Sequence, residues 1–130
     1  MVTFSNPPTV HVPGGAYSHS AVVPAGVELI FISGQVGVRP DGSLPSSISA
    51  QAEQVFANIG SILASHWLDA SALVKLTVFV MAGQDIQVVR TCRAKFVGAH
   101  RPASTAVFVS QLVDPAWYVE VEAIAAKPRG

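Results

Sequence analysis

The stretch Leu73-Val74-Lys75-Leu76-Thr77-Val78-Phe79-Val80-Met81 decides the fold. Successive side chains of a strand point to opposite faces. Val74, Leu76, Val78 and Val80 therefore share one face, and Lys75, Thr77 and Phe79 the other. The first set is wholly aliphatic and reads as core. The second is only half polar. A helical pattern lies on each side of this strand. Upstream, from Ser46 to about Trp67, Ile48, Ala52, Val55, Ile59, Ile62 and Leu63 recur at spacings of three and four, giving one apolar helix face. Gln51, Gln54, Asn58 and Ser61 fall largely off that stripe. Ser46 or Ser47, after Pro45, is the expected N-cap. Downstream, Asp85 to about Ala99 reads as a second helix, with Ile86, Val89 and Phe96 inward and Arg90, Arg93 and Lys95 mostly outward. His100-Arg101-Pro102 ends it, because the residue before a proline disfavours the helical region.

Working outward, Val27 to Ser33 is a β-branched, apolar run that reads as a buried strand ending at Gly34. Arg39-Pro40-Asp41-Gly42 is a turn signature. Ser104 to Ser110 and Trp117 to Ala125 alternate and read as the last two strands. Residues 1–16 are rich in Pro and Gly and read as an N-terminal arm, with a short strand expected from Val10 and Val12 towards Tyr17. The expected order is β-β-α-β-α-β-β, in a single domain spanning residues 1–130. The class is α+β: a mixed β-sheet with two helices on one face. One helical layer covers one face of such a sheet, so the other face, if also apolar, needs another subunit.

Composition narrows the function. The chain has 130 residues, 8 Lys+Arg against 8 Asp+Glu, and a formal net charge of zero. Half the residues are hydrophobic and 12% are charged. About 25% charged is usual for soluble domains, so this surface has few charges to cover it, which points to an oligomer. No apolar run approaches the roughly 20 residues of a membrane span. A nucleic-acid partner held mainly by charge needs a basic excess that is missing here. Cys92 is the only cysteine, which excludes an intrachain disulfide, and it reads as a partly buried, inert thiol. His11, His19, His66 and His100 are scattered without metal-ligand spacing, so no metal site is expected. The N-terminus has no basic region followed by an apolar one, and a cytoplasmic location is the expectation.

Six stretches, in order, resemble the RidA/YjgF family. They are Ala16-Tyr17-Ser18-His19-Ser20-Ala21, Ile30-Phe31-Ile32-Ser33-Gly34-Gln35-Val36, the helix with Gln51-Ala52 and Asn58-Ile59, Val74 to Phe79, Arg101-Pro102-Ala103-Ser104-Thr105, and Val119 to Ala125. The resemblance covers residues from about 10 to 126. It implies a chorismate-mutase-like fold, a homotrimer with sites in clefts between subunits, and hydrolysis of reactive enamines and imines to 2-keto acids and ammonia. It implies a small-molecule metabolite as partner and no metal or organic cofactor.

Carried over residue by residue, the resemblance places Tyr17 at the site tyrosine, Ser33 and Gly34 in the loop lining the cleft, and Glu120 at the carboxylate that helps hold a water. The family pattern Pro-Ala-Arg-Ser-Thr meets Pro102-Ala103-Ser104-Thr105-Ala106 here, so Ser104 stands in the place of the arginine that grips the substrate carboxylate. Arg101 and Arg90 are the candidate replacements, though the residue pattern favours a loop-surface charge for Arg101 and a solvated or interface charge for Arg90. Ser104 and Thr105 complete the candidate substrate-binding set. Tyr17 is either a site residue or an interface rim residue, and Glu120 is either a site carboxylate or a solvated one beside Glu122. Three activities stay open at this point: a hydrolase of enamines or imines, a non-catalytic trimer that binds a metabolite or a partner protein, and, against the neutral charge, a ribonuclease.

Overall fold

The structure, a computed structural model, describes residues 1–128. Its elements are β1 (Thr3–Ser5), β2 (Ser20–Val22), β3 (Val27–Val36), α1 (Ile48–Ser65), β4 (Leu73–Met81), α2 (Ile86–Val97), β5 (Ala103–Val109) and β6 (Val119–Pro128). Four strands make one mixed sheet in the order β3-β6-β4-β5. β6 runs antiparallel to β3 and β4, while β5 is parallel to β4 across the α2 crossover. Both helices lie on one face, as the alternation of β4 requires. Leu76, Val78 and Val80 are buried with Val119, Val121, Ala123 and Ala125 of β6, against Ala52, Val55, Ile59 and Leu63 of α1. Burying each valine, leucine or isoleucine side chain among them contributes about 1.5–3 kcal/mol.

Local chemistry sets the helix ends. Ser47 is the N-cap of α1, and its hydroxyl accepts from the Ala50 N–H at 3.1 Å. Beyond α1, Trp67 takes a left-handed φ of 58° and ends the run. Asp85 caps α2 by accepting from the Gln87 N–H at 2.9 Å. Gly98, at φ 58°, closes α2 with a bond from its N–H to the Ala94 carbonyl at 3.0 Å, a backbone angle that favours glycine.

Three expectations are corrected. Val10 and Val12 are exposed and form no strand; instead β1, inside the expected arm, pairs antiparallel with β2 at Phe4↔Ala21. A short strand is thus added before the expected order. Gln51, assigned off the apolar stripe, is buried to 1% exposure because its amide has work there. Its Nε2 donates to the carbonyls of Pro45 and Ala116, both at 3.0 Å, and its Oε1 accepts from the Tyr118 N–H at 2.8 Å. Arg93, expected to face outward, is also buried.

Candidate functional site

The candidate residues form two groups on opposite faces of the sheet. The first is built by a bulge in β3. Register passes from Ile32↔Ala123 to Gln35↔Val121, so Ser33 and Gly34 together oppose Glu122. An extra residue in one strand bends it and re-aims its side chains. Glu120, which pairs with Val36 beyond the bulge, folds its carboxylate back over Gly34. A Cβ at Gly34 would stand 2.9 Å from Glu120 Cδ, so glycine keeps this niche open. Among the described residues no side-chain donor hydrogen-bonds to the Glu120 carboxylate.

The second group lies at the edge strand β5. Ser18 bridges Ala103 in parallel, and its N–H donates to the Pro102 carbonyl at 3.0 Å. This holds the loop carrying Tyr17 along the start of β5. The half-buried Tyr17 ring meets His19 edge-on, with centroids 6.4 Å apart. Ser104 pairs with the buried Leu76, which places it on the helix-facing side of the sheet. There its hydroxyl oxygen accepts from Arg93 Nη1 at 3.2 Å.

Arg93 is 7% exposed. Burial pushes its guanidinium below the ordinary arginine value, and the neighbouring Arg90 charge adds to this, while Tyr17 opposes it. Sequence reasoning missed this residue. The signal was available: Val89, Arg93 and Val97 recur every four residues on α2, and all three are buried. An inward line of valines carries its middle member inward whatever its charge.

The structure separates the other candidates. Thr105 lies on the face away from the helices and accepts from Lys75 Nζ at 2.7 Å. Arg101 is exposed and donates to the carbonyls of Gly98 and His100, at the end of α2. Arg90 is exposed, one turn before Arg93. Glu120 registers with Phe79, and Ser104 with Leu76, on two strands that flank β4. Three residues along and two strands across, the groups lie about 14 Å apart within one copy.

Among the described residues no cluster of three or more His, Cys, Asp or Glu could hold a metal. Among the described residues no helix is long and apolar enough to cross a membrane. Cys92 is half-buried, and burial pushes its thiol above 9.0. It lines a groove of about 680 Å³ between the helices with Phe56, Gly60 and Phe96, which contains none of the candidate residues.

Comparison with known proteins agrees with this fold. The family model described as Endoribonuclease L-PSP matches residues 9–127. Protein HMF1 of Saccharomyces cerevisiae is 36% identical over 116 residues, covering 86% of this chain and 84% of that protein. The 2-iminobutanoate/2-iminopropanoate deaminase of Escherichia coli K12 is 35% identical over 103 residues, covering 76% and 80%. The Rid-family protein YyfB of Yersinia pestis superposes with a TM-score of 0.83 at 27% identity, covering 95% of this chain and 97% of its own. The chain belongs to the endoribonuclease L-PSP family, the RidA/YjgF proteins.

Proposed function

We propose that this protein hydrolyses small reactive enamines and imines in a cleft between copies of a homotrimer. The observation that carries the reading is the Glu120 carboxylate, seated over Gly34 in the β3 bulge and bonded to no side-chain donor among the described residues. A carboxylate without a cation partner is free to accept a proton from water. The enamine first takes a solvent proton at carbon and becomes the iminium ion. The water oxygen then adds to the iminium carbon as Glu120 takes the water proton. Glu120 returns that proton to the nitrogen of the resulting carbinolamine, the carbon–nitrogen bond breaks as the hydroxyl oxygen gives its proton back to solvent and becomes the carbonyl, and ammonia and a carbonyl product leave. This chemistry asks mainly for positioning, and neither a metal nor an organic cofactor takes part. Backbone groups at Ser33 and Gly34 hold the water, and Tyr17 closes the site.

The separation of the two groups supports a second copy as part of the site. β5 is an edge strand, and Phe108 on it is 54% exposed; Phe31 on the sheet face away from the helices is 71% exposed. A neighbouring copy would cover such surface and set Glu120 of one chain opposite Ser104 and Tyr17 of another. Thr105 and Arg101, whose polar atoms are engaged elsewhere, take no part in substrate contact in this arrangement. Names of relatives support this substrate class: deaminases of 2-iminobutanoate and 2-iminopropanoate from rat and Escherichia coli. A further neighbour, TdcF of Escherichia coli, holds bound serine.

The second reading, a trimer that binds a metabolite without turnover, is favoured by Ser104 in the place of the family arginine. A hydroxyl cannot give the paired, charge-assisted bonds of a guanidinium. A ribonuclease is disfavoured by the net charge of zero.

Imines made in situ by an amino-acid oxidase from several amino acids test the proposal. Release of 2-keto acid faster than in buffer is expected, with Glu120→Ala returning the rate to that of buffer and leaving the oligomer intact. No acceleration with any imine overturns the hydrolase reading. A raised Tm with the corresponding keto acid would then favour the binding module.

A further inference from the structure

Two buried side-chain atoms, Arg93 Nε and His19 Nδ1, have no hydrogen-bond partner among the described residues. Both flank Tyr17. His19 meets the tyrosine ring edge-on, and Arg93 Nη2 and the Tyr17 ring both lie within 4 Å of the Cβ position at Gly15. An unpaired polar atom is costly to bury, and an unpaired cation more so. Native proteins tolerate such a charge where a ligand supplies the missing partner. Among the described residues, the one charged neighbour that acts on Arg93 through space, besides the tyrosine, is Arg90, of the same sign. Its hydrogen bond to Ser104 is to a neutral hydroxyl, whose own proton stays free to donate.

We propose that Arg93 is the carboxylate anchor of this cleft. It brings from α2 a guanidinium to the position where Ser104 on β5 has none, with the Ser104 hydroxyl as second donor and the Tyr17–His19 loop as wall. The planar fork of arginine matches a carboxylate with two parallel bonds. Gly15 leaves the approach open, since a side chain there would press on Nη2 at 3.4 Å. The exposed Arg90, one turn away, adds positive potential at the rim without entering the anchor. The choice of a 2-keto or 2-imino acid as ligand rests on the hydrolase reading; the anchor itself rests on the buried guanidinium, whose Nε has no partner and whose bond from Nη1 goes to a neutral hydroxyl.

The probe is 2-oxobutanoate, with its neutral amide as control, titrated calorimetrically into the whole protein. Wild type is expected to bind the acid at least tenfold more tightly than the amide. Arg93→Met should lose this preference with the oligomer intact and Tm unchanged or raised, because it removes an uncompensated buried charge. Arg93→Met combined with Ser104→Arg should regain it by supplying the guanidinium from the strand. No preference in wild type, or a preference kept in Arg93→Met, overturns the proposal. So does a lowered Tm with a preference that the double variant fails to restore, which makes Arg93 structural. Imine hydrolysis measured in parallel separates the two readings. Turnover with an unchanged KM in Arg93→Met overturns the anchor and leaves the hydrolase standing, whereas Arg93-dependent binding without any turnover upholds the anchor and overturns the hydrolase.

Discussion

The Glu120 side chain lies over Gly34 so closely that a Cβ at Gly34 would stand 2.9 Å from its Cδ and 3.1 Å from its Cγ. The contact involves the far end of a flexible side chain, so Gly34→Ala should fold normally while turning the carboxylate out of the bulge. The melting temperature is expected to stay within a few degrees of wild type. Imine hydrolysis is expected to fall at least about tenfold, since small misplacements of a reacting group carry large rate penalties. Wild-type rates in Gly34→Ala would remove the bulge niche from the mechanism.

Gly37 makes a different kind of close approach. A Cβ there would lie 2.7 Å from Gln51 Cα and 2.9 Å from the Gln51 carbonyl oxygen, which are backbone atoms of α1. Backbone in a packed helix cannot swing aside as a carboxylate does. Gly37→Ala should therefore destabilise the fold by about 1–3 kcal/mol, the usual cost of overpacking. The denaturant midpoint should drop with an unchanged slope.

Gln51 itself ties three backbone groups together, from Pro45, Ala116 and Tyr118. Gln51→Leu keeps the volume and leaves those groups without their partner, at about 1–3 kcal/mol for each one that stays buried and unsatisfied. Some of that cost is relieved by water reaching the exposed Ala116 and the half-exposed Tyr118. A loss of at least about 2 kcal/mol in urea unfolding is expected; a neutral result would mean the loop before β6 re-forms its bonds elsewhere.

The contrast between Gln51 and the valines of β4 shows what could be read from residues alone. Leu76, Val78 and Val80 announce their face by alternation, and so does the α1 stripe from Ala52 to Leu63. Periodicity reports the apolar majority of a face. It cannot report a polar member of the same face whose partners come from distant loops, as with Gln51, or whose partner is on another strand, as with Arg93 and Ser104. β1 and β2 were illegible for a related reason. They are three residues each, too short for any period, and exist through pairing with one another. Likewise the residues of the candidate site were nameable by resemblance, but their division between two faces depends on register.

Cys92 tests the electrostatics of the helix groove. Burial, and then the negative charge of Glu53, push its thiol above 9.0, with Lys95 opposing. A raised pKa means less thiolate at any pH below it, and thiolate is the reactive form. At pH 8 iodoacetamide should modify native Cys92 more slowly than Cys92 of the urea-unfolded protein. The native rate should go on climbing at pH values where that of the unfolded protein has levelled off, and Glu53→Gln should raise it at pH 8. Equal rates in native and unfolded protein would contradict the shift.

Phe31 tests the assembly. It pairs with Ile124 on the sheet face that carries no helix, and it is 71% exposed in one copy. Leu29, 46% exposed, lies on the same face of β3, and adjacent apolar side chains left to water on an uncovered sheet face mark an interaction surface. In light scattering, wild type is expected at three times the 13.6 kDa of one chain. Phe31→Glu would bury a carboxylate against apolar surface in the assembled protein, so it should shift the population towards single chains. Phe31→Leu, which keeps an apolar contact, should leave the assembly in place. Activity should follow assembly, because Glu120 and Ser104 lie about 14 Å apart and on opposite faces within one copy. A single chain then holds the carboxylate and the anchor but never both at one substrate. Full imine hydrolysis by monomeric Phe31→Glu would overturn the shared cleft, and a wild type that scatters as a single chain would do the same more directly.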